Sequence, residues 1–138
     1  MSPKHCFFDD HAATRWLDSL AAGLAEAAAS GKCVLVQLGR PDCGGSRALI
    51  ERVLPKEEIT EVLRESFVCV CLDSRSPGAE AEALLAQLTR VEPTPICMYL
   101  VPQADGSGRI VHSTVGGRPP AVFMRDLVQA QSATGHHA

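Results

Sequence analysis

Three nearly continuous apolar runs constrain this chain most: Cys33 to Leu38 (CVLVQL), Phe67 to Leu72 (FVCVCL) and Ile96 to Val101 (ICMYLV). Each has strand length and β-branched content, and none alternates apolar with polar residues, which is the pattern of a strand buried on both faces. Such strands need cover on both sides, and the segments between them supply it. Trp16, Leu17, Leu20, Ala21, Leu24 and Ala28 recur at three- to four-residue spacing, predicting a helix from Ala12 to Ala29 that ends at Ser30-Gly31. A second helix runs through Leu49, Ile50, Val53 and Leu54 and stops at Pro55. A third spans Glu57 to Ser66, a fourth Ala79 to Thr89, and a fifth opens at Pro119-Pro120 and carries Val122, Phe123, Leu127 and Val128. The turn ADGSG and the run Arg109 to Val115 add a last strand.

Alternating strands and helices predict an α/β fold, a three-layer α/β/α sandwich with a central mixed sheet of about four to five strands. The parallel part is covered on both faces, and the tight turn before Arg109 makes an antiparallel edge hairpin. No internal repeat or linker divides the chain, so residues 12–131 read as one domain between a flexible N-terminus, 1–11, and a flexible tail, 132–138.

Of the 138 residues, 46% are hydrophobic and 21% charged, enough apolar material for one core. A net charge of -3, with thirteen scattered Lys and Arg, provides no basic field, so nucleic acid is not expected as a partner. The start MSPKHCFFDDHAATRW holds acidic residues and no signal-peptide core, and Glu26 interrupts the alanine-rich stretch, so neither export nor a membrane is expected and the placement is cytoplasmic.

Six cysteines do not make a disulfide framework here. Cys33, Cys69, Cys71 and Cys97 lie inside the apolar runs, where a reduced cysteine behaves as a small hydrophobe. Cys69 and Cys71 share a strand face, a poor geometry for a mutual bridge, and Cys6 falls in the segment expected to fray. Cys43 alone stands in turn chemistry, in DCGGS at the head of the second helix. A helix's first turn offers unpaired N–H groups and the positive end of its dipole, which stabilise a thiolate. Gly44 and Gly45 leave those N–H groups uncovered, and Ser46 can turn its hydroxyl toward the sulfur. Arg40 and Arg47 add positive charge, and Asp42 opposes it. The plainer reading is that Asp42 caps the helix and Cys43 is incidental. Against it stands Glu92-Pro93-Thr94-Pro95, just before a buried strand: X-Pro bonds go cis cheaply, and a cis proline at a strand start leaves the preceding backbone free to pair with an extended peptide. His11 and His112 read as surface or satisfied residues, and the paired histidines of QSATGHHA as tail rather than metal site.

From Trp16 to Leu127 this order of elements resembles the thioredoxin superfamily, and within it the subgroup called thioredoxin-7, which includes the anterior-gradient proteins, whose sites can carry cysteine, two residues and serine. The matching pieces are Trp16, SGKCVLV, DCGGSRAL, EEITEVLRESFV and Thr94-Pro95. The resemblance implies that Cys43 is the reactive thiol, that Ser46 occupies the place of the resolving cysteine, and that Pro95 is the cis proline facing them. It further implies that the loop of Gly117 and Arg118-Pro119-Pro120 borders the same groove. Three positions depart from thioredoxin itself: Asp42 replaces the tryptophan before the first cysteine, Gly45 the proline between the cysteines, and Gln37 the buried acid that accepts a proton.

Exchange requires an attacking thiolate and a second thiol that resolves the mixed disulfide. With serine at position 46, Cys43 attacks and another molecule must release it. The expected function is monothiol thiol-disulfide exchange with protein thiols or disulfides, with glutathione as a possible resolving thiol and no resident cofactor or metal. Thr94, Pro95, Gly44, Gly45 and Gly117 are the expected substrate-binding positions. One alternative is a non-catalytic peptide-binding module. Another is glutathione-dependent iron-sulfur binding, since monothiol glutaredoxins carry a motif similar to Cys43-Gly44-Gly45-Ser46; the long first helix and the lack of their lysine count against it. Cys97, two residues past Pro95, is an internal partner only if the strand pleat aims it at Cys43.

Overall fold

A computed structural model describes residues 4–133. Ser19 decides where the first helix starts. Its side chain accepts the N–H of Ala22, so α1 spans Leu20–Ser30, and Gly31, in the left-handed region at φ 74°, closes it by donating to Ala27 O. The helix expected from Ala12 therefore begins eight residues later. Trp16–Leu17 instead form a short strand, β1, which pairs with the strand of Phe67–Asp73, and Trp16 is buried. The three- to four-residue spacing of apolar residues ran across the capping serine, so periodicity concealed a strand-to-helix change.

The remaining elements follow the expected order. They are β2 (Cys33–Gly39), α2 (Gly44–Ala48), which continues as one π-type segment over Leu49–Val53, α3 (Glu57–Ser66), β3 (Phe67–Asp73), α4 (Ala79–Leu85), β4 (Ile96–Pro102), β5 (Gly108–Val115) and α5 (Pro120–Ala133). Helix α4 ends four residues before the expected Thr89, and Val128, read as part of the α5 stripe, is exposed. Residues 134–138, with the paired histidines, lie outside the described residues, and α5 continues through Ala133, past the start assigned to the tail.

The sheet order is β1-β3-β2-β4-β5. Strands β1, β3 and β2 are parallel, and β4 is antiparallel to both β2 and β5. Antiparallel pairing thus reaches one strand further into the sheet than the edge hairpin. The seven-residue α4 spans about 10 Å against about 23 Å for a seven-residue strand, and tight turns follow it (Gln87 N–H to Leu84 O, Leu88 N–H to Leu85 O). The chain consequently re-enters the sheet at the end it left, and β4 runs back along β2.

Side-chain alternation splits the core into two layers. Leu35, Cys69, Cys71, Cys97 and Tyr99 pack under α2, α3 and α5, with Leu49, Ile50, Ile59, Leu63, Phe123 and Leu127. Val34, Val36, Leu38, Val70 and Met98 pack under α1 and α4 with Leu20, Leu24, Ala81 and Leu84. This is the three-layer α/β/α sandwich. No helix among the described residues is long and apolar enough to cross a membrane.

Of the N-terminal segment expected to fray, residues 1–3 lie outside the described residues, and residues 5–10 are packed onto this frame. His5 and Asp10 are buried, Trp16 Nε1–H donates to Asp10 Oδ2 (2.9 Å), and Cys6 is disulfide-bonded to Cys71. Cys71 is therefore no reduced core thiol. Its run is as apolar as expected, but the bridging partner lies 65 positions away in sequence, where no local pattern links the two.

Candidate functional site

Cys43 occupies the N-cap of α2 with an extended backbone (φ -98°, ψ 115°). The cap is the sulfur itself: the N–H of Ser46 donates to Cys43 Sγ (3.4 Å), in the place where a cap usually offers oxygen. Asp42, the plainer cap candidate, pairs instead with Arg40 (3.7 Å). From the opposite side the hydroxyl of Thr94 donates to the same sulfur at 3.0 Å, and the Cys43 thiol can donate to Thr94 O (3.5 Å). Thr94–Pro95 is a cis peptide, as is Glu92–Pro93.

These donors decide the ionisation of Cys43. Partial burial pushes the thiol up, and the Ser46 side chain, the Thr94 hydroxyl and the backbone N–H groups of Ser46 and Gly45 together outweigh it, so the thiol titrates below its ordinary value. The Ser46 hydroxyl is fully buried and makes no formed hydrogen bond in this arrangement, so no other partner competes for its rotatable hydrogen. The arginines contribute less than the sequence suggests, because Arg40 is held by Asp42 and Arg47 by Glu51 (3.1 Å).

The buried cysteines behave oppositely. Burial pushes Cys33 up to about 11 and Cys69 and Cys97 up to about 12, so all three stay protonated and inert near neutral pH. Cys97 is 1% exposed and is no accessible partner for Cys43.

The glycines divide by their surroundings. A Cβ at Gly45 would stand 3.3 Å from Pro95 Cδ and from Thr94 O, so the bare backbone lets the helix start approach the proline loop. Gly44 and Gly117 are exposed, and a Cβ built at either meets nothing within 4 Å. Gly116, next to Gly117, braces the proline loop: its N–H donates to Pro93 O (2.8 Å) and Pro95 O (2.9 Å). That turn is anchored by Arg118, whose guanidinium forks onto Asp126 (2.9 and 3.1 Å), and Asp126 also receives His112 Nε2 (3.0 Å). His112 thus belongs to a part-buried structural trio with Asp126 and Arg118.

Gln37 sits behind the site, 1% exposed. His5 Nδ1 accepts the N–H groups of Phe7 and Phe8 (3.2 and 3.3 Å), which leaves the proton on Nε2 to donate to Gln37 Oε1 (2.6 Å). This partner was invisible in the sequence, since nothing near His5 marks it as a core residue. In front of Cys43 an open cleft of about 580 Å³ is bordered by Arg40, Arg75, Leu85, Val91, Pro93 and Ile96. Among the described residues, no group of three or more His, Cys, Asp or Glu is arranged to hold a metal ion.

A family model described as thioredoxin-like matches residues 15–102. The solution structure of a thioredoxin from Thermus thermophilus is 28% identical, covering 91% of this chain and 96% of that one with a TM-score of 0.70. A Trichomonas vaginalis thioredoxin is 17% identical, with coverage of 85% and 96% and a TM-score of 0.59. A poplar thioredoxin h mutant is 19% identical, with coverage of 95% and 87% and a TM-score of 0.58; at these lower identities the likeness is one of fold. No curated protein matches the chain.

Proposed function

This chain belongs to the thioredoxin-like family, and from that premise we propose that it carries out monothiol thiol-disulfide exchange through Cys43, as a member of the subgroup whose sites carry cysteine, two residues and serine. The carrying observation is the sulfur of Cys43 between two donors, the Ser46 N–H and the Thr94 hydroxyl, with the Ser46 hydroxyl where a second thiol would be needed.

In the first step the Cys43 thiolate attacks one sulfur of a client disulfide. A mixed disulfide forms, and the departing client thiolate takes a proton from solvent. Position 46 offers no thiol to break that bond, so a second external thiol, of the glutathione class or on the client, attacks the mixed disulfide and releases Cys43 as thiolate. An extended client segment lies in the cleft along Thr94-Pro95, where the half-buried thiol is reachable. Protein thiols are the partners, and a cytoplasmic, thiol-rich setting suits a site that waits for an external resolver.

The test is the rate at which the Cys43 peptide is alkylated at neutral pH, followed by capture of mixed disulfides with a Cys43→Ser control. Alkylation faster than that of a free cysteine, with clients lost in the control, supports exchange. Alkylation no faster than a free cysteine overturns it and leaves the cleft as a non-catalytic peptide-binding surface.

A further inference from the structure

We propose that Cys6 and Cys71 form a reversible redox fastener for the N-terminal segment, and that closing it holds His5 on Gln37 directly behind the reactive thiol. Residues 5 and 6 are attached side by side. Cys6 bridges to Cys71, His5 donates to Gln37, and Gln37 and Cys71 are register partners on the adjoining strands β2 and β3. The far end of Gln37 reaches the site. A Cβ built on Gly39 would lie 2.9 Å from Gln37 Nε2 and 2.6 Å from Ser46 Oγ, and both of those buried atoms lack a partner. A path of neighbours therefore runs from Cys6 through His5, Gln37 and Ser46 to Cys43.

The bridge is asymmetric. Cys6 is exposed and Cys71 is 1% exposed, so a solvent thiol attacks at Cys6. In that reduction an external thiolate of the glutathione class bonds to Cys6 Sγ, the S–S bond breaks, and Cys71 leaves as thiolate and takes a proton. A second external thiol then displaces Cys6. Two external thiols become one disulfide, and the protein gains two S–H groups.

Once the bridge opens, residues 4–9 are held by non-covalent contacts alone: His5 to Gln37, the Cys6 N–H to Cys71 Sγ (3.1 Å), Cys6 Sγ to Cys71 O (3.0 Å), the His5 ring against Phe8 (5.8 Å, stacked) and Trp16 (4.8 Å, edge-on), and Phe8 against the core. Asp10 is anchored separately by Trp16 Nε1 and the Thr14 N–H, which confines the opening to the residues before it. Few contacts and no covalent tie make this the segment that opens locally. Its departure removes the donor that orients Gln37 and lets water in behind Ser46.

The experiment compares the full chain, oxidised, reduced with a phosphine, and as Cys6→Ser. Hydrogen exchange of residues 5–9 is read by mass spectrometry, and alkylation is read on the Cys43 peptide. Exchange rising about tenfold in the reduced protein and in Cys6→Ser, with the Cys43 rate shifted about twofold or more, is expected. Failure of the oxidised protein to show a Cys6–Cys71 peptide, or equal exchange in all three forms, overturns the fastener; unequal exchange with an unchanged Cys43 rate overturns its coupling to the site. The second readout rests on Cys43 being the reactive thiol, and slow alkylation in every form would count against that reading while the exchange data still decide the fastener.

Discussion

The Thr94 hydroxyl stands 3.0 Å from the sulfur of Cys43, so a residue 51 positions away supplies the side-chain hydrogen bond that the helix start does not form by itself. Removing that donor with Thr94→Val destabilises the thiolate and raises its pKa. A hydrogen bond to a charged group is worth about 1.5 kcal/mol, or about one pKa unit. At a pH below both pKa values the thiolate fraction then falls about tenfold, the more basic sulfur recovers about threefold in nucleophilicity, and alkylation slows about threefold. Thiolate absorbance against pH, with Cys43→Ser as the blank, separates the two effects; an unchanged titration would remove Thr94 from the site.

Gly44 and Gly45 predict opposite outcomes for the same substitution. Neither has a positive φ, and a Cβ at Gly44 meets nothing within 4 Å. Gly44→Ala should therefore stabilise by about 0.5 kcal/mol through the unfolded chain and leave Cys43 alone. At Gly45 the new methyl presses on Pro95 and Thr94 O, so Gly45→Ala should lose that gain and also slow alkylation by displacing the Thr94 hydroxyl. Thermal unfolding and alkylation measured on the two variants would show the contrast, and identical behaviour would contradict it.

Asp126 holds Arg118 and His112 from α5, and Arg118 lies two residues beyond the Gly116 N–H that braces Pro93 and Pro95. Asp126→Ala takes the buried carboxylate from a part-exposed guanidinium and from His112, at a cost of about 2 kcal/mol and a Tm drop on the order of 5 °C. Because the Gly116 turn loosens with it, the Thr94–Cys43 bond weakens too, and the alkylation rate should fall even at temperatures where the protein stays folded. A variant with lower Tm and the parent's alkylation rate would confine Asp126 to stability.

The layered fold was legible because the evidence for it is local. Continuous apolar runs mark β2, β3 and β4, and Glu57 to Ser66 carries its own helix signal to the residue. Cys43, Ser46, Thr94 and Pro95 were legible from turn chemistry and order along the chain. What stayed hidden depends on contacts distant in sequence. Cys6 meets Cys71 across 65 positions and His5 meets Gln37 across 32, and neither pair leaves a periodic trace. The orphaned Ser46 hydroxyl and the diversion of Arg40 and Arg47 to carboxylates are likewise properties of side-chain direction, which spacing does not carry.

His5 adds a pH dependence with a definite sign. Burial lowers its pKa, against the raising effects of Gln37 and Asp10, so the fold favours the neutral ring, whose Nδ1 accepts two N–H groups that an imidazolium would have to give up. The stability this contributes is fully present above the ordinary histidine value of 6.5 and is lost as pH falls through the depressed one. Protection of the amides of residues 5–9, exchange measured against its intrinsic pH-dependent rate, should fall on acidification below that value. In a His5→Leu variant this acid-dependent loss of protection should vanish, and its persistence would assign the effect to another group.

Ser46→Cys tests what limits the site. Position 46 is fully buried and its N–H already touches Cys43 Sγ, so a thiol there is placed to attack a mixed disulfide on Cys43 from within. If the missing thiol is the main barrier, the variant should reduce insulin disulfides faster than the parent, with no external thiol required for release. The new thiol must lose its proton in an apolar place, however, and Gln37 accepts none. Gln37→Asp combined with Ser46→Cys supplies a carboxylate beside the new sulfur and should exceed the single variant, most clearly near neutral pH. A single variant no faster than the parent, together with a double variant that is faster, would put the barrier at Gln37; two variants no faster than the parent would put it in the cleft that receives the client.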